Sequence, residues 1–290
     1  MPVTISARTA VTIAYVTSLL LASLDTNIVN VMLPTLSREF SAPLTSVKWT
    51  VIGYVLALAI TMPAAGWLSG RFGIKRVYLV ALTLFVLASA CCGAAQNLPE
   101  LVVTRFAQGA AGGVIGPVAT AMLYRAYPQS ERARMTRLLL MPVALGPALA
   151  PPLGGFLSDH FSWRVAFLVN APVGLVTAAA VLVGLPADPG RSGQRLAPVS
   201  FLSAAVGLSG TMYLISEGAE IGWGSPVTIG LACVTVAALV LLVRIEFRSG
   251  QPMLDLPLLR DQLFRSSNLS TLFQTMTFLG GILYITPLML

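Results

Sequence analysis

Two ionisable residues stand well inside long apolar stretches of this sequence: Asp25 in the first stretch and Arg105 in the fourth. If these stretches cross a membrane as helices, each buried charge costs at least ~2.5–3.5 kcal/mol, so it should face a cavity or a partner of opposite charge. At a rise of about 1.5 Å per residue, Asp25 lies about 12 Å and Arg105 about 9 Å from the same end of the spans. We therefore expect the two residues at nearly one level, where they can pair if their helices are neighbours.

A membrane-buried carboxylate beside an arginine admits two interpretations. The pair can be a fixed ion pair that holds two helices together. Alternatively, the carboxylate alternates between a proton, a cationic substrate and the arginine, because burial favours its neutral form while a nearby positive charge favours its ionised form. Gln108, three positions after Arg105, shares its helix face, and Asn27 and Asn30 add polarity near Asp25. Each amide on its own is as readily explained by interhelical hydrogen bonding.

The composition requires a membrane around these residues. The chain of 290 residues is 56% hydrophobic and only 10% charged, whereas a soluble domain is nearer a quarter charged. A net charge of +7 would fit a nucleic-acid binder, but the basic residues cluster in short gaps between apolar stretches, so we expect no nucleic-acid partner. Cys91, Cys92 and Cys233 lie in apolar stretches and His160 is the only histidine, so we expect neither a metal site nor an enzyme.

The apolar stretches have the length of membrane-spanning helices, which need about 20 predominantly apolar residues. They lack the alternating pattern of barrel strands and are about twice as long. We therefore predict an all-α integral membrane protein with about nine transmembrane helices. The predicted spans are 10–33, 47–69, 76–95, 100–124, 136–157, 164–185, 198–217, 225–243 and 266–290.

Lysine and arginine are unevenly divided between the two ends of these spans. With a cytoplasmic N-terminus, only Arg38, Lys48 and Arg164 fall on the outer side, and the other basic residues apart from Arg105 lie in cytoplasmic connections. An excess of positive charge marks the cytoplasmic side, so we predict that the N-terminus is cytoplasmic. Because the ninth span would finish outside at the last residue, we also expect the sequence to be part of a longer protein.

The fourth and fifth spans are rich in small residues and prolines. Glycines occupy positions 109, 112, 113 and 116 of the fourth span, and Gly146, Ala150 and Gly154 follow one another at four-residue spacing in the fifth, with prolines between them. Small residues let helix backbones approach closely, and prolines bend a helix. The pattern indicates either tight packing or a kinked fifth helix that slides against its neighbour.

Five segments of the sequence resemble the fourteen-helix drug:proton antiporters of the major facilitator superfamily. They are residues 24–34 in the first span, 66–76 between the second and third, 105–109 in the fourth, 146–155 in the fifth, and 162–170 at the start of the sixth. The resemblance implies a major-facilitator-type helical bundle. It departs at Gly70, where the family's loop has an aspartate that helps to hold one conformation, and at Ala150, where the family has glycine.

The resemblance also implies roles for individual residues, which fall into three sets. The proton-coupling and substrate set would be Asp25, Asn30, Arg105 and Gln108. The cytoplasmic gating loop would be Gly66, Arg71, Gly73, Lys75 and Arg76. The antiporter-motif helix would be Gly146, Pro147, Pro151, Gly154 and Gly155.

The family architecture further implies three parts of the chain. Residues 1–187 would form a six-helix half, 188–248 an inserted two-helix pair with its cytoplasmic linker, and 249–290 a linker and the first helix of an incomplete second half. The implied function is proton-coupled export of small amphipathic molecules or drugs by alternating access in the bacterial inner membrane. The expected partners are the small-molecule substrate, protons and the lipid bilayer, with the proton gradient as energy source and no cofactor.

Two alternatives to this function stay open. The chain can belong to an exporter of a small metabolite, or it can be a non-transporting membrane fragment or partner subunit. Because about five helices of the family architecture would be missing, we do not expect the 290-residue chain to transport by itself.

Overall fold

The computed structural model of the protein describes residues 6–190, 197–249 and 256–277. Within those ranges the chain forms helices joined by short turns, and no β-strand occurs there. The helices are α1 (Ala7–Glu39), α2 (Leu44–Val47), α3 (Trp49–Thr61), α4 (Ala64–Phe72), α5 (Ile74–Ala94), α6 (Leu98–Ala126), α7 (Gln129–His160), α8 (Trp163–Leu168), α9 (Asn170–Gly184), α10 (Pro198–Ile221), α11 (Pro226–Arg248) and α12 (Gln262–Met276), with a 3-10 turn at Leu256–Arg260 before the last.

Seven helical segments of the described chain are long and apolar enough to cross a membrane. They are Ala7–Glu39, Leu44–Thr61, Ile74–Ala94, Leu98–Ala126, Trp163–Gly184, Pro198–Ile221 and Pro226–Arg248. The prediction of an all-α, multi-pass membrane protein is therefore confirmed for these residues. The count of nine spans stays a prediction, for reasons that lie in two of the predicted segments.

The fifth predicted span, 136–157, falls within α7; of its residues, Ala148–Leu157 form an apolar helical stretch shorter than a full span, and the side chains at 136–145 and 147 lie outside the described part of the structure. The ninth, 266–290, begins in α12, and its residues beyond 277 lie outside the described ranges. The second predicted span, 47–69, is interrupted at Pro63, where α3 ends and α4 begins. A proline has no backbone N–H to continue the helical ladder, which explains the break.

The helices that carry the two membrane charges are neighbours. Helix α1 packs against α6, α7 and α9, while α6 packs between α3 and α5. Glycine makes the contact between α3 and α6 possible, because a Cβ on Gly109 would collide with the carbonyl oxygen of Tyr54, and one on Gly113 would come within 2.5 Å of that of Leu58. Gly109 and Gly113 of the fourth predicted span therefore serve close packing, whereas a Cβ on Gly116 would meet open space.

The start of α6 is fixed by local hydrogen bonds, which in turn set the depth of Arg105. The Asn97 side chain accepts from the backbone N–H of Glu100 at 2.9 Å, and the Glu100 carboxylate accepts from the backbone N–H of Gln96 at 2.9 Å. This reciprocal arrangement satisfies amide groups that a helix N-terminus leaves unpaired. Arg105 therefore lies two turns inside the helix.

Helices α10 and α11 pack against each other, and α10 also contacts α3. The contact between α10 and the start of α3 is partly ionic, because Lys48 lies 3.1 Å from Glu217 and 2.8 Å from Glu220. Next to this cluster, the rings of Trp49 and Tyr213 are 5.8 Å apart. Helices α10 and α11 are thus packed neighbours, and the division of the chain into a six-helix half, an inserted pair and a second half stays a prediction.

Candidate functional site

The two membrane charges meet as a buried ion pair between α1 and α6. Nη1 of Arg105 donates to Oδ2 of Asp25 at 2.5 Å, and the exposed fractions of the two side chains are 0% and 1%. Because both charges are removed from solvent, the attraction between them is only weakly screened. The structure therefore brings Asp25 and Arg105 together as a pair.

Two amide side chains complete the surroundings of the carboxylate. Nε2 of Gln108 donates to Oδ1 of Asp25 at 2.9 Å, and Nδ2 of Asn170 donates to the same oxygen at 3.0 Å. Gln108 also accepts from Nη1 of Arg105 at 2.8 Å, so the i, i+3 pair on α6 binds the carboxylate as a unit. All three neighbours donate hydrogen bonds, which is the arrangement that an ionised carboxylate requires.

Asn170 is a member of this cluster that sequence reasoning missed as a site residue. It lies at the start of α9, and its Nδ2 also donates to Oγ of Ser89 at 2.9 Å, while Ser89 donates to the carbonyl of Phe167 at 2.8 Å. The cluster thus joins α1, α5, α6 and α9. The only signal in the sequence was the position of Asn170 at the end of the recognised 162–170 segment, and nothing there indicated which helix it faces.

The Arg105 guanidinium is held from the other side by α3. Its Nε donates to the carbonyl of Thr50 at 3.1 Å, and its carbon atom Cζ lies 4.1 Å from the centre of the Tyr54 ring and 5.7 Å from that of Phe167. A cation over an aromatic face is stabilised by the ring's charge distribution. Nη2 of Arg105 is buried and has no hydrogen-bond partner among the described residues, so this nitrogen remains available to an acceptor.

Asn30, the remaining member of the predicted coupling set, lies outside the cluster. It is five positions after Asp25 on α1, which places it on a different face of the helix, and its side chain is exposed. Asn27 is bonded locally, because its Nδ2 donates to the carbonyl of Ser23 at 2.7 Å. The structure therefore unites Asp25, Arg105 and Gln108 and leaves Asn30 apart from them.

The residues of the predicted gating loop lie within α4 (Gly66 and Arg71), at Gly73 between the helices, and in the first turn of α5, and its cations have three different environments. Nζ of Lys75 donates to the carbonyl of Leu182 at 2.9 Å and to that of Leu185, so it neutralises the C-terminal end of α9. The guanidinium of Arg71 lies 5.8 Å from the Phe72 ring. Arg76 is exposed beside an apolar groove between α5 and α6.

The two glycines of this loop differ in their surroundings. Gly73 has a φ of +87°, and a Cβ there would collide with the backbone of Asp188, so both its conformation and its space favour glycine. Gly66 faces open space, because a Cβ added there would meet no atom of the described residues within 4 Å. Packing therefore requires glycine at position 73 and not at position 66.

An acidic side chain from the segment after α9 lies close to this loop. The carboxylate of Asp188, just after α9, accepts from the backbone N–H of Gly190 at 3.3 Å and lies 3.1 Å from Nη1 of Arg125. The hydrogen bond from Gly190 lowers the pKa of this carboxyl below its usual value, against a smaller opposing effect of burial, and the backbone N–H of Ile74 and Arg125 lower it further. Sequence reasoning noted that Gly70 replaces the usual loop aspartate but did not identify Asp188 as an acid near this place.

Helix α7, the predicted antiporter-motif helix, lies along α1. Gly146 is buried so tightly against Ser23 that a Cβ would collide with the Ser23 hydroxyl, and a Cβ on Gly154 would lie 3.3 Å from Val31. Gly155 is half-buried with open space around it, and Pro151 is exposed. The side chain of Pro147 lies outside the described part of the structure. Two of the five motif residues therefore mediate close packing along the part of α1 that carries Asp25.

A small cavity of about 190 Å³ lies between α1, α3 and α6, one to two turns from Asp25 along α1. Its lining is mostly apolar and includes Leu21, Ala22, Phe85 and Gly112, with the Ser18 hydroxyl as a polar group. Within the described residues, no group of three or more His, Cys, Asp or Glu side chains is placed to hold a metal ion. The site thus consists of a buried charge cluster beside a small apolar cavity.

Residues 15–290 match the family model described as the Major Facilitator Superfamily. The match covers nearly the whole chain. The chain belongs to the Major Facilitator Superfamily. The resemblance identified from the five sequence segments is thereby confirmed at the level of the superfamily.

Curated members of the superfamily include drug exporters that are similar to this chain. It is 32% identical over 272 residues to the multidrug export protein EmrB of Haemophilus influenzae, covering 92% of this chain and 52% of that protein. It is also 32% identical over 269 residues to the putative multidrug resistance protein MdtD of Escherichia coli, covering 92% of this chain and 56% of that protein. The chain therefore spans about half the length of these relatives.

Solved structures of the superfamily share the fold. A proton:xylose symporter, XylE, aligns with a TM-score of 0.56 at 16% identity and covers 83% of this chain and 54% of that one. The POT family transporter PepTSo aligns with a TM-score of 0.52 at 16% identity and covers 80% of this chain and 52% of that one. At this level of identity the likeness concerns the fold alone.

Proposed function

We propose that this chain forms the proton-coupling part of an exporter of small amphipathic molecules or drugs, which works by alternating access in the bacterial inner membrane. The observation that carries the proposal is the buried Asp25 carboxylate, which accepts hydrogen bonds from three donors on α6 and α9. The two similar proteins, a multidrug export protein and a putative multidrug resistance protein, favour drug-like substrates.

Proton coupling is expected because a proton on the Asp25 carboxylate would compete with the hydrogen bonds that this carboxylate accepts. Arg105, Gln108 and Asn170 all donate to the carboxylate, so together they suit its ionised form. A proton on the carboxylate would point a further hydrogen toward neighbours that are themselves donors, and the charge that attracts Arg105 would be lost. A protonated Asp25 must therefore separate from at least one partner, which loosens α1 from α6 or α9.

Arg105 can stay in place during this change because α3 holds it independently of Asp25. The Thr50 carbonyl and the Tyr54 ring remain as partners of the guanidinium when the carboxylate leaves. Proton binding from the outer side and release to the cytoplasm would then favour two arrangements of α1 in turn. Rocking of one half of the transporter against the other around a central site gives alternating access.

The cavity between α1, α3 and α6 supports an amphipathic substrate. Its apolar lining suits the hydrocarbon part of a molecule, and a cationic group could reach toward Asp25 in competition with Arg105. A volume of about 190 Å³ is smaller than the 300–1,000 Å³ of typical ligand pockets, and in the superfamily the opposite wall of the site comes from the second half. We therefore assign to this chain one side of the substrate site.

The remaining architecture belongs to the same proposal. The N-terminus is cytoplasmic, the first half comprises residues 1–187, the inserted pair 188–248, and the linker with the start of the second half 249–290. Residues 66–76 form the cytoplasmic gate. Lys75 and Asp188 support this role, because they already connect the loop region to the end of α9 and to Arg125.

The proposal is tested by Asp25→Asn in the full-length protein. Asparagine keeps the shape and an acceptor oxygen but binds no proton at neutral pH, so proton-driven efflux of a cationic dye such as ethidium should fall to the level of cells without the gene. Membrane insertion should be unchanged. Asp261→Asn is a matched control, because Asp261 caps α12 at its exposed start and asparagine caps a helix equally well. Undiminished efflux by the Asp25 variant would remove this residue from the mechanism.

A further inference from the structure

A long apolar groove runs along α5 and α6, and none of its lining residues belongs to α1, the helix of Asp25. Its volume is about 820 Å³. Three side chains of α5 that line it are largely exposed: Val80 at 59%, Leu84 at 53% and Leu87 at 57%. The opposite wall is formed by α6, and the end of α4 contributes Phe72.

The groove exists because the two helices carry side chains of very different size along their shared edge. On α5 the lining residues recur three and four positions apart, and the exposed side chains of Val80, Leu84 and Leu87 among them form a ridge. On α6 the corresponding positions are Ala107, Ala110 and Ala111, which leave the space beside that ridge unfilled.

One end of the groove carries a positive charge. Arg76 lines the groove at the first turn of α5, is exposed, and has no ion pair, hydrogen bond or ring contact among the described residues. Its neighbour Lys75 is in contrast occupied by the carbonyls at the end of α9. The rest of the lining is almost wholly apolar, so the groove combines a hydrocarbon channel with a single positive end.

We propose that this groove binds one acyl chain of an anionic phospholipid, whose phosphate is held by Arg76. From Arg76 to Cys91 at the far end, α5 rises ~22 Å, which is more than half of a hydrocarbon core of about 30 Å. With the N-terminus cytoplasmic, Arg76 lies where anionic headgroups attract basic residues. The inference rests on this orientation and not on transport, so its test is independent of efflux.

Lipid retention in the purified full-length protein tests the inference directly. The protein in detergent is mixed with phosphatidylglycerol or phosphatidylethanolamine, and bound lipid is counted by native mass spectrometry. We expect preferential retention of phosphatidylglycerol, and Arg76→Gln should weaken it about fivefold. Arg248→Gln is the matched control, since it removes one exposed positive charge from the end of α11, away from the groove, and should leave retention unchanged.

A photoactivatable acyl chain locates the bound lipid. Cross-links from a diazirine-bearing phosphatidylglycerol should map to α5 and α6 along the groove, and Ala88→Trp should abolish them by filling the channel. If that variant fails to fold, Ala110→Phe fills the same channel from α6 and takes its place. Equal retention of both lipids unaffected by Arg76→Gln, cross-links outside the groove, or cross-links between two protein chains through it would overturn the proposal.

Discussion

Removing one member of the buried ion pair should cost much more stability than removing both. In Arg105→Met, the carboxylate of Asp25 keeps the amide donors of Gln108 and Asn170 but loses its counter-ion within the described cluster. In Asp25→Asn, the guanidinium keeps the carbonyl of Thr50 and loses the negative charge beside it. In the double variant, every remaining buried group of the cluster is neutral.

The magnitude follows from the complete burial of both side chains, at 0% and 1% exposure. Removing one partner of a buried pair leaves an uncompensated charge and costs about 3–5 kcal/mol. Replacing both charges by neutral groups of similar volume is often close to neutral, so the double variant should unfold within about 1–2 kcal/mol of the starting protein. The magnitude of the coupling energy of the cycle should therefore be at least about 4 kcal/mol.

The assay is unfolding of the full-length protein and its three variants in detergent, followed by tryptophan fluorescence, with dye efflux measured on the same set. The double variant should be stable and inactive in proton-driven efflux, which separates the role of the pair in coupling from its role in packing. Single-variant costs below about 1 kcal/mol that simply add would refute the reasoning, because they would mean that water reaches the charges. A stable double variant with full efflux would refute the coupling role alone.

Three further outcomes are expected. Gly109→Ala should destabilise the protein by about 1–3 kcal/mol in thermal unfolding because its Cβ collides with the backbone of α3, whereas Gly116→Ala, which meets open space, should be neutral or slightly stabilising. The pKa of Asp188 is lower in the folded protein than the usual aspartate value of 3.8, so its ionised form stabilises the fold fully above 3.8. This stabilisation is lost as the pH falls through the lower folded pKa, so Asp188→Asn should flatten the acid limb of a curve of stability against pH. An unchanged curve would contradict this. Asn170→Ala removes one donor from Asp25, so dye efflux should fall while membrane insertion is retained, and unaltered efflux would show that this amide is dispensable.

The part of the site that follows from local rules could be predicted from the sequence. The depth of Asp25 and Arg105 follows from the rise of a helix and from the ends of the apolar stretches, and Gln108 follows from the i, i+3 relation. Asn30 was grouped with them from a resemblance between segments, but five positions along a helix turn a side chain to another face. Adjacency in a motif therefore did not imply adjacency in the site.

The part that depends on which helices meet could not be predicted in this way. Asn170 is 145 positions from Asp25, and only the packing of α9 against α1 brings its amide to the carboxylate. Asp188 likewise reaches the loop at Gly73 because the end of α9 returns to the start of α5. The proline at position 63 is a local signal for the break between α3 and α4. The apolar residues on both sides of it led to the prediction of one continuous span.

The buried cluster contains more hydrogen-bond donors than acceptors. This excess of donors is relevant to whether the ion pair only holds two helices together or also exchanges partners. Arg105 supplies more N–H groups than Asp25, Gln108 and the Thr50 carbonyl use, so its Nη2 is buried without a partner among the described residues. A buried donor left unsatisfied costs about 1–3 kcal/mol. An acceptor that reached this nitrogen would remove that cost, so Nη2 is the atom at which Arg105 can take a further partner. The unused nitrogen lies on the same guanidinium that holds Asp25, so a change of partner there can be linked to release of the carboxylate for protonation.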